Sequence, residues 1–311
     1  MWRFLFQILL TILIAFVLGS LPYLAFNMDG LMTVQRMIDS GELDNAMFLG
    51  FDFEWNWGRF IHHMLTSVVN IFHLSSMTYY DHNLIKPLFP EYFLRYLYSM
   101  KILVASLGSA FCLSVVITIM IIMMPVPVKR LIKTALQAVQ SIPDLFYLIF
   151  LQLASIAIYE TFHVLFFEVA EYDREIYLLP IIVLTFFPTL QMIQYLIANF
   201  EQEISEPYVT LAQAKGLHRW RILLIHVLRN AIATFLAHLK TIFWFALSNL
   251  IMVEVLLNMK GFISFLFEYG PLTPEMYTYG LIMLVVPFMM FFFVLQRLVG
   301  RINRTELGEV I

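Results

Sequence analysis

Ile102-Leu-Val-Ala-Ser-Leu-Gly-Ser-Ala-Phe-Cys-Leu-Ser-Val-Val-Ile-Thr-Ile-Met-Ile-Ile-Met-Met-Pro-Val-Pro-Val128 is a run without a charged side chain, bounded by Lys101 and Lys129. An α-helix rises about 1.5 Å per residue, so a hydrocarbon core of about 30 Å takes about 20 apolar residues. A run this long and this apolar predicts a membrane-crossing helix. Five further windows read the same way: Phe4 to Met28, Thr134 to Tyr159, Ile176 to Phe200, Ala231 to Val253, and Tyr277 to Gln296. Asp144 beside Pro143 interrupts the window from Thr134, Lys240 interrupts the one from Ala231, and Glu254 closes the latter. The expected fold is an all-α integral membrane protein with six transmembrane helices.

Composition agrees. Of 311 residues 61% are hydrophobic and 13% charged, with a mean hydropathy of +0.80, against about 45–50% and about 25% in soluble domains. A net charge of −3 leaves no basic footprint for nucleic acid. Cys112 is the single cysteine, so neither an internal disulfide nor a cysteine-based zinc site is available. The first window is too long for the apolar region of a signal peptide, and no small-x-small site follows it, so it reads as a retained helix.

Lys and Arg collect on the cytoplasmic side of membrane proteins. With the N-terminus inside, Arg3, Lys129, Arg130, Lys133, Lys215, Arg219, Arg221, Arg229, Lys240, Arg297, Arg301 and Arg304 all fall inside, twelve of nineteen basic residues. Glu160, Glu168, Glu171, Asp173 and Glu175 gather in one short outer loop. Both termini are therefore expected in the cytoplasm. The chain divides into a first helix (1–28), an outer segment (29–95) and a five-helix part (96–311) with a cytoplasmic loop at 201–230.

In the outer segment Ile61, Met64, Leu65, Val68, Val69 and Phe72 recur at helical spacing. The helix they predict is expected to pack against the spans; a lid over a pathway and a helix on the outer leaflet are the alternatives. His62, His63, His73 and His82 lack the spacing of a metal site, and are expected as solvated surface residues with no metal. The loop after the fourth window predicts two short helices about a glycine. Glu206 and Pro207 start the first, Tyr208, Leu211, Ala212 and Lys215 follow at helical spacing, and Gly216 ends it. A second helix begins near Arg219 and runs through His226 and Asn230 into the fifth span. An elbow of this shape is a docking element, or else a hairpin resting on lipid headgroups. Polar residues inside spans are the default candidates for a solute pathway: Gln191, Gln194, Lys240, Asn249 and Glu254, with Asp144 near a boundary. Snorkelling of Lys240 and helix–helix bonding by the amides are the structural alternatives.

The segment Glu206-Pro-Tyr-Val-Thr-Leu-Ala-Gln-Ala-Lys-Gly-Leu-His-Arg-Trp-Arg-Ile-Leu-Leu-Ile-His-Val-Leu-Arg-Asn-Ala231 resembles the EAA loop of ABC importer permeases, in particular the oligopeptide, dipeptide and nickel branch. Tyr208, Val209, Ala212, Ala214, Lys215, Gly216, Leu217, His226, Leu228, Arg229, Asn230 and Ala231 carry the match. Ser141-Ile-Pro-Asp-Leu-Phe-Tyr-Leu148 is similar to the family's S-x-P-x-F, and Val253-Glu254 followed by Gly261-Phe262 to its V-E-x-x-F and P-G-x-G. The family's P-G-D-P after the first span is absent, with Asn27-Met-Asp-Gly30 in its place, and Met259-Lys260 stands where a proline precedes the glycine.

The resemblance implies the permease subunit of a prokaryotic type I ABC importer, multi-pass in the inner membrane, with the loop as its ATPase-coupling element. Glu206, Tyr208, Leu211, Ala212, Lys215, Gly216, Leu217, Arg221, His226, Arg229 and Asn230 are its coupling residues, with Leu211, Leu217 and Trp220 supplying apolar contacts. It also implies a second related permease, preferably as a heterodimer, two ABC ATPase subunits and an extracellular substrate-binding protein. ATP and Mg²⁺ would be held by those ATPases, since this chain has no G-x-x-x-x-G-K-[ST] loop, nor HExxH, GxSxG or paired intramembrane carboxylates. Peptides or peptide-like solutes are the implied cargo, with nickel or metal chelates and oligosaccharides as alternatives. An ATP-independent secondary transporter is the rival from another class, though four uncharged spans lack the paired midplane groups such proteins use. A scaffold that binds an ATPase without transporting is a further rival.

Overall fold

The computed structural model describes residues 2–44, 55–71, 73, 77–81, 84–163, 175–271 and 273–308; for 298–308, Ala233 and Ala237 the description is of the backbone alone. Phe72, His82, Glu168, Glu171 and Asp173, named above, lie outside the described residues. Among the described residues six helices are long and apolar enough to cross a membrane. Internal contacts divide the chain into two units, residues 1–97 with 261–298, and residues 98–260 with 299–311.

The first unit is built on α1 (Trp2–Ala25) and α12 (Glu275–Gly308), which run antiparallel. Phe4 stacks on Phe293 at 3.7 Å, Thr11 Oγ1 donates to Met289 Sδ at 3.4 Å, and a Cβ on Gly19 would stand 1.8 Å from Thr278 Oγ1. Glycine at that point lets the helices approach as small residues do in membranes. Between them in sequence come α2 (Met28–Asp39), α3 (Trp57–Asn70), an antiparallel hairpin of β1 (Thr78–Asp81) and β2 (Leu84–Pro87), the start of α4 (Glu91–Met123), and α11 (Phe262–Tyr269). The hairpin is tied by Lys86 Nζ to Asp81 at 2.5 Å. Its Tyr79 packs edge-on against Phe265 and Tyr269 of α11. Tyr92 is fully buried against Phe262 and donates its hydroxyl to the Met276 carbonyl at 2.8 Å.

The structure alters two expectations for this unit. α3 does pack against a span, α1, but Ile61, Leu65, Val68 and Val69 take no part in that packing; all four are exposed. The buried residues of α3 are the polar His63 and Ser67. Nor is His63 a solvated residue: it is 6% exposed, held between Ser20, Ser67 and Glu275. A helix whose buried side is polar reverses the ordinary amphipathic rule, and periodicity alone gives the period of a stripe without saying which side faces in.

The second unit holds the rest of α4, α5 (Val126–Gln140), α6 (Asp144–Phe162), α7 (Leu178–Ile204), α8 (Pro207–Ala214), α9 (Arg219–Arg221), a π-helical turn (Ile222–Val227) and α10 (Leu228–Leu256). Its core gathers Met192, Leu196 and Phe200 of α7 with Phe235 and Ile242 of α10. Hydroxyls inside the spans bond to the preceding helical turn: Ser106 to Ile102, Thr185 to Ile181, and Thr189 to Thr185. That answers the demand, acute in lipid, that polar groups find partners within the protein.

Two window boundaries change. α4 begins at Glu91 and ends before Pro125, so the second span starts well ahead of Ile102. The window Thr134 to Tyr159 is two helices, α5 and α6, broken at Ser141-Ile142-Pro143. Proline at 143 removes a donor and pushes the residue before it out of helical geometry. By length and composition α6 alone qualifies as a span. Yet Asp144, its first residue, shares a small cavity with Leu184 and Phe187 of α7 and Asn249 of α10. At 1.5 Å per residue those neighbours lie about 10 Å inside the adjoining ends of α7 and α10. α5 precedes the break, and its Lys133 reaches Glu201 near the opposite end of α7 at 2.6 Å.

Candidate functional site

The elbow stands directly after α7. Pro207 occupies the first turn of α8, where its missing N–H costs nothing. Val209 and Ala212 are buried, and Tyr208 and Leu217 pack on the same core, so α8 is seated on the ends of the spans. The Tyr208 hydroxyl donates to Glu203 Oε2 at 2.6 Å, and Asn230 Nδ2 lies 3.4 Å from the same oxygen. One carboxylate of α7 thereby ties the beginning of the elbow to the beginning of α10. Burial, and then the Glu203 carboxylate beside it, push the Tyr208 phenol up to about 12.

Gly216 has φ +76°, the left-handed region open to glycine without a Cβ penalty. The Leu217 N–H then returns to the Ala212 carbonyl at 3.3 Å, the closing bond of a glycine-capped helix end. The turn delivers the chain to α9, where Arg219 Nη2 reaches the Ile122 carbonyl of α4 at 3.4 Å. Ile222 and Val227 bury in the core while Leu224 and Ile225 stay exposed. His226 lies in the π-turn, a deformation that recurs at functional sites.

Of the expected coupling residues, the structure brings Tyr208, Ala212, Leu217 and Asn230 to the inner side of the elbow. Glu206, Leu211, Lys215, Gly216, Arg221 and Arg229 are exposed. Leu217 therefore serves packing within the chain, and the apolar groups presented outward are Leu211 and Trp220. Sequence reasoning missed Glu203, Glu201 and Lys133, whose partners are distant in sequence, and the π-turn, which has no sequence signature.

The five candidate pathway residues do not form one cluster. Gln191 and Gln194 lie on α7, and the Gln194 amide nitrogen is buried with no hydrogen-bond partner among the described residues. Lys240 is exposed on α10, while Glu254 is fully buried. Asn249 lines a small cavity together with an ionisable group, Asp144, and with Tyr147 and Met252. In the first unit a cavity of about 350 Å³ is lined by Arg36, Tyr79, Tyr80, Glu275 and Tyr279 among others; it is large enough for a small solute.

A sequence profile of the family described as "binding-protein-dependent transport system inner membrane component" matches residues 110–305. The chain belongs to this family. It is thus a permease, a multi-pass cell-membrane component of an ABC transport system that works with a substrate-binding protein and an ATPase. The match runs from within α4 to near the end of α12, taking in the whole elbow and both sides of the Asp144–Asn249 cavity, but not α1 to α3 or the hairpin. Among curated proteins none matches the permease.

Proposed function

We propose that this permease forms one half of the membrane pore of an ATP-driven importer for peptides or peptide-like solutes, with both termini in the cytoplasm. The observation that carries the reading is the elbow. A short helix is fixed to two spans through Glu203 and a buried face, ends at a left-handed glycine, and presents Leu211 and Trp220 outward. A rigid element so attached transmits a push on its outer face into α7 and α10. In the proposed assembly that push comes from two ABC ATPases, which hold ATP and Mg²⁺. A second related permease, as a heterodimer, completes the pore, and an extracellular binding protein delivers the solute.

Glu206, Leu211, Lys215 and Arg221 line the ATPase-facing side. Tyr208, Ala212, Leu217, His226, Arg229 and Asn230 hold the elbow's shape, and Gly216 sets its bend. Among the pathway candidates, Asp144 with Asn249 is the pair the geometry favours. An ionisable group inside a membrane is costly, and here it sits at the start of a broken helix, a position transporters use for contact with solute. Gln191, Gln194, Lys240 and Glu254 remain pathway residues of lower rank. Metal chelates and oligosaccharides are the alternative cargoes.

The test is Leu211→Ala and Trp220→Ala in the coexpressed complex. Each is expected to weaken ATPase retention by about 1–2 kcal/mol, as truncation of a central apolar anchor does, with membrane insertion unchanged. Full retention of the ATPases in the double variant would refute the docking role.

A further inference from the structure

In α3 one arc carries Trp57, Ile61, Leu65, Val68 and Val69, with Trp57 62%, Leu65 58% and Val69 59% exposed. No charged side chain falls within that arc. The opposite arc carries His63 and Ser67, 6% and 0% exposed. His63 has a partner at each ring nitrogen: Nδ1 is 3.1 Å from Ser20 Oγ, and Nε2 is 3.2 Å from Glu275 Oε1 and 3.4 Å from Ser67 Oγ. Its ring stacks on Tyr23 at 3.8 Å. Tyr279 donates its hydroxyl to the Ser67 carbonyl at 2.9 Å. The residues of this helix that protein covers are the polar His63 and Ser67, its apolar side is left bare, and the exposed His62 and Thr66 border that bare side.

The same contacts fix its direction. The Asn56 N–H bonds to the Leu24 carbonyl at 3.0 Å, at the end of α1. From there His63 meets Glu275 and Ser67 meets Tyr279. Successive turns of α3 thus track successive turns of α12 from its first residue inward, while Ser20 and Tyr23 flank it on α1. A helix that descends beside two membrane spans, polar toward them and apolar away, has the pattern of a membrane-embedded segment. In water the arrangement would be inverted. Trp55 and Trp57 at its start are both exposed, as interfacial anchors are.

We propose that α3 is embedded in the lipid leaflet adjoining the end of α1 and the start of α12, its bare arc covered by acyl chains. It is a seventh membrane element, one that enters without crossing. The occupant is lipid because the arc carries no charge and because α1, the span on which α3 packs, itself exposes the apolar residues Leu13, Val17 and Leu21. This rests on the membrane assignment of α1 and α12 and is independent of cargo, of the ATPase and of which side is outside.

The test uses the full-length permease in its complex, in nanodiscs of phosphatidylcholine with plain or brominated acyl chains. In a Cys112→Ser background, single cysteines at Leu65 and, separately, Val69 carry a polarity-sensitive fluorophore, and one at exposed Ser40 serves as the water reference. Emission at positions 65 and 69 is expected to be blue-shifted relative to 40 and quenched at least twofold by brominated chains, with position 40 unchanged. Water-like, unquenched emission at both positions would overturn the proposal. So would blue-shifted but unquenched emission, which would mean that another protein chain covers the arc. Quenching of native tryptophan fluorescence that diminishes in Trp57→Phe supports it without any label.

Discussion

Replacing Gly216 probes the elbow with the fewest side effects. At φ +76° the residue lies where an L-side chain is disfavoured, and a Cβ there meets nothing within 4 Å. A substitution therefore creates no clash, and its cost is the backbone's alone, about 1–2 kcal/mol for left-handed geometry. That shifts the population of the native bend by a factor of about 5–30. Asparagine tolerates this region better than other residues, whereas a β-branched valine tolerates it worst, so the expected order of damage is Gly216→Asn, then Ala, then Val. The assay is solute uptake and solute-stimulated ATP hydrolysis by the assembled complex in proteoliposomes, alongside the amount of permease in the membrane. Gly216→Val is expected to insert normally and to lose both activities together, with Gly216→Asn close to wild type. Wild-type transport by the valine variant would refute the elbow as a constrained coupling element. Equal damage from all three would show that something other than φ is at stake.

Asp144→Asn removes the charge from the cavity shared with Asn249 and is expected to raise the KM for a solute bearing an ammonium group. A lost charge-assisted contact of about 1.5–3 kcal/mol corresponds to about 10–100-fold, and an unchanged KM removes Asp144 from the pathway. Tyr208 is an acid whose pKa is raised by folding, so its contribution to stability is complete below about pH 10, the ordinary tyrosine value, and is lost as pH rises through about 12. The tyrosinate absorbance difference between wild type and Tyr208→Phe should have its midpoint near 12. In Glu203→Gln that midpoint should fall but stay above the ordinary value, because burial is the larger cause. For topology, single cysteines at Ser40 and Ser205 in the Cys112→Ser background should differ: an impermeant thiol reagent labels Ser40→Cys in intact cells and spares Ser205→Cys, and labelling of the latter would reverse the orientation.

The membrane class and the number of spans were legible in the sequence because charge-free runs such as Ile102 to Val128 have one physical outlet. The elbow was legible because its signals are local: a first-turn proline, a helical spacing and a glycine at the bend. Three things were not. Glu203 serves both Tyr208 and Asn230, a juxtaposition made only when α7 and α10 pack. The break at Ser141–Pro143 was visible as a proline, but its depth follows from Asp144 lining one cavity with Asn249. The reversal of α3 was hidden because a stripe of apolar residues looks the same whether it faces a protein core or lipid, and only Ser20, Glu275 and Tyr279 decide which.

The pairing of α1 with α12 has a consequence in time. Phe4, Thr11 and Gly19 find Phe293, Met289 and Thr278, so a helix made early packs against one made much later. At about 5–20 residues per second, α1 waits some tens of seconds in the bilayer before its partner exists. His63 waits likewise for Glu275. Until then a notch shaped for another helix is open to whatever diffuses past in the membrane, and an unfinished permease is a substrate for quality-control proteases. A nonsense codon anywhere before residue 275 should therefore leave no stable N-terminal fragment, even though α1 to α3 are by then long synthesised.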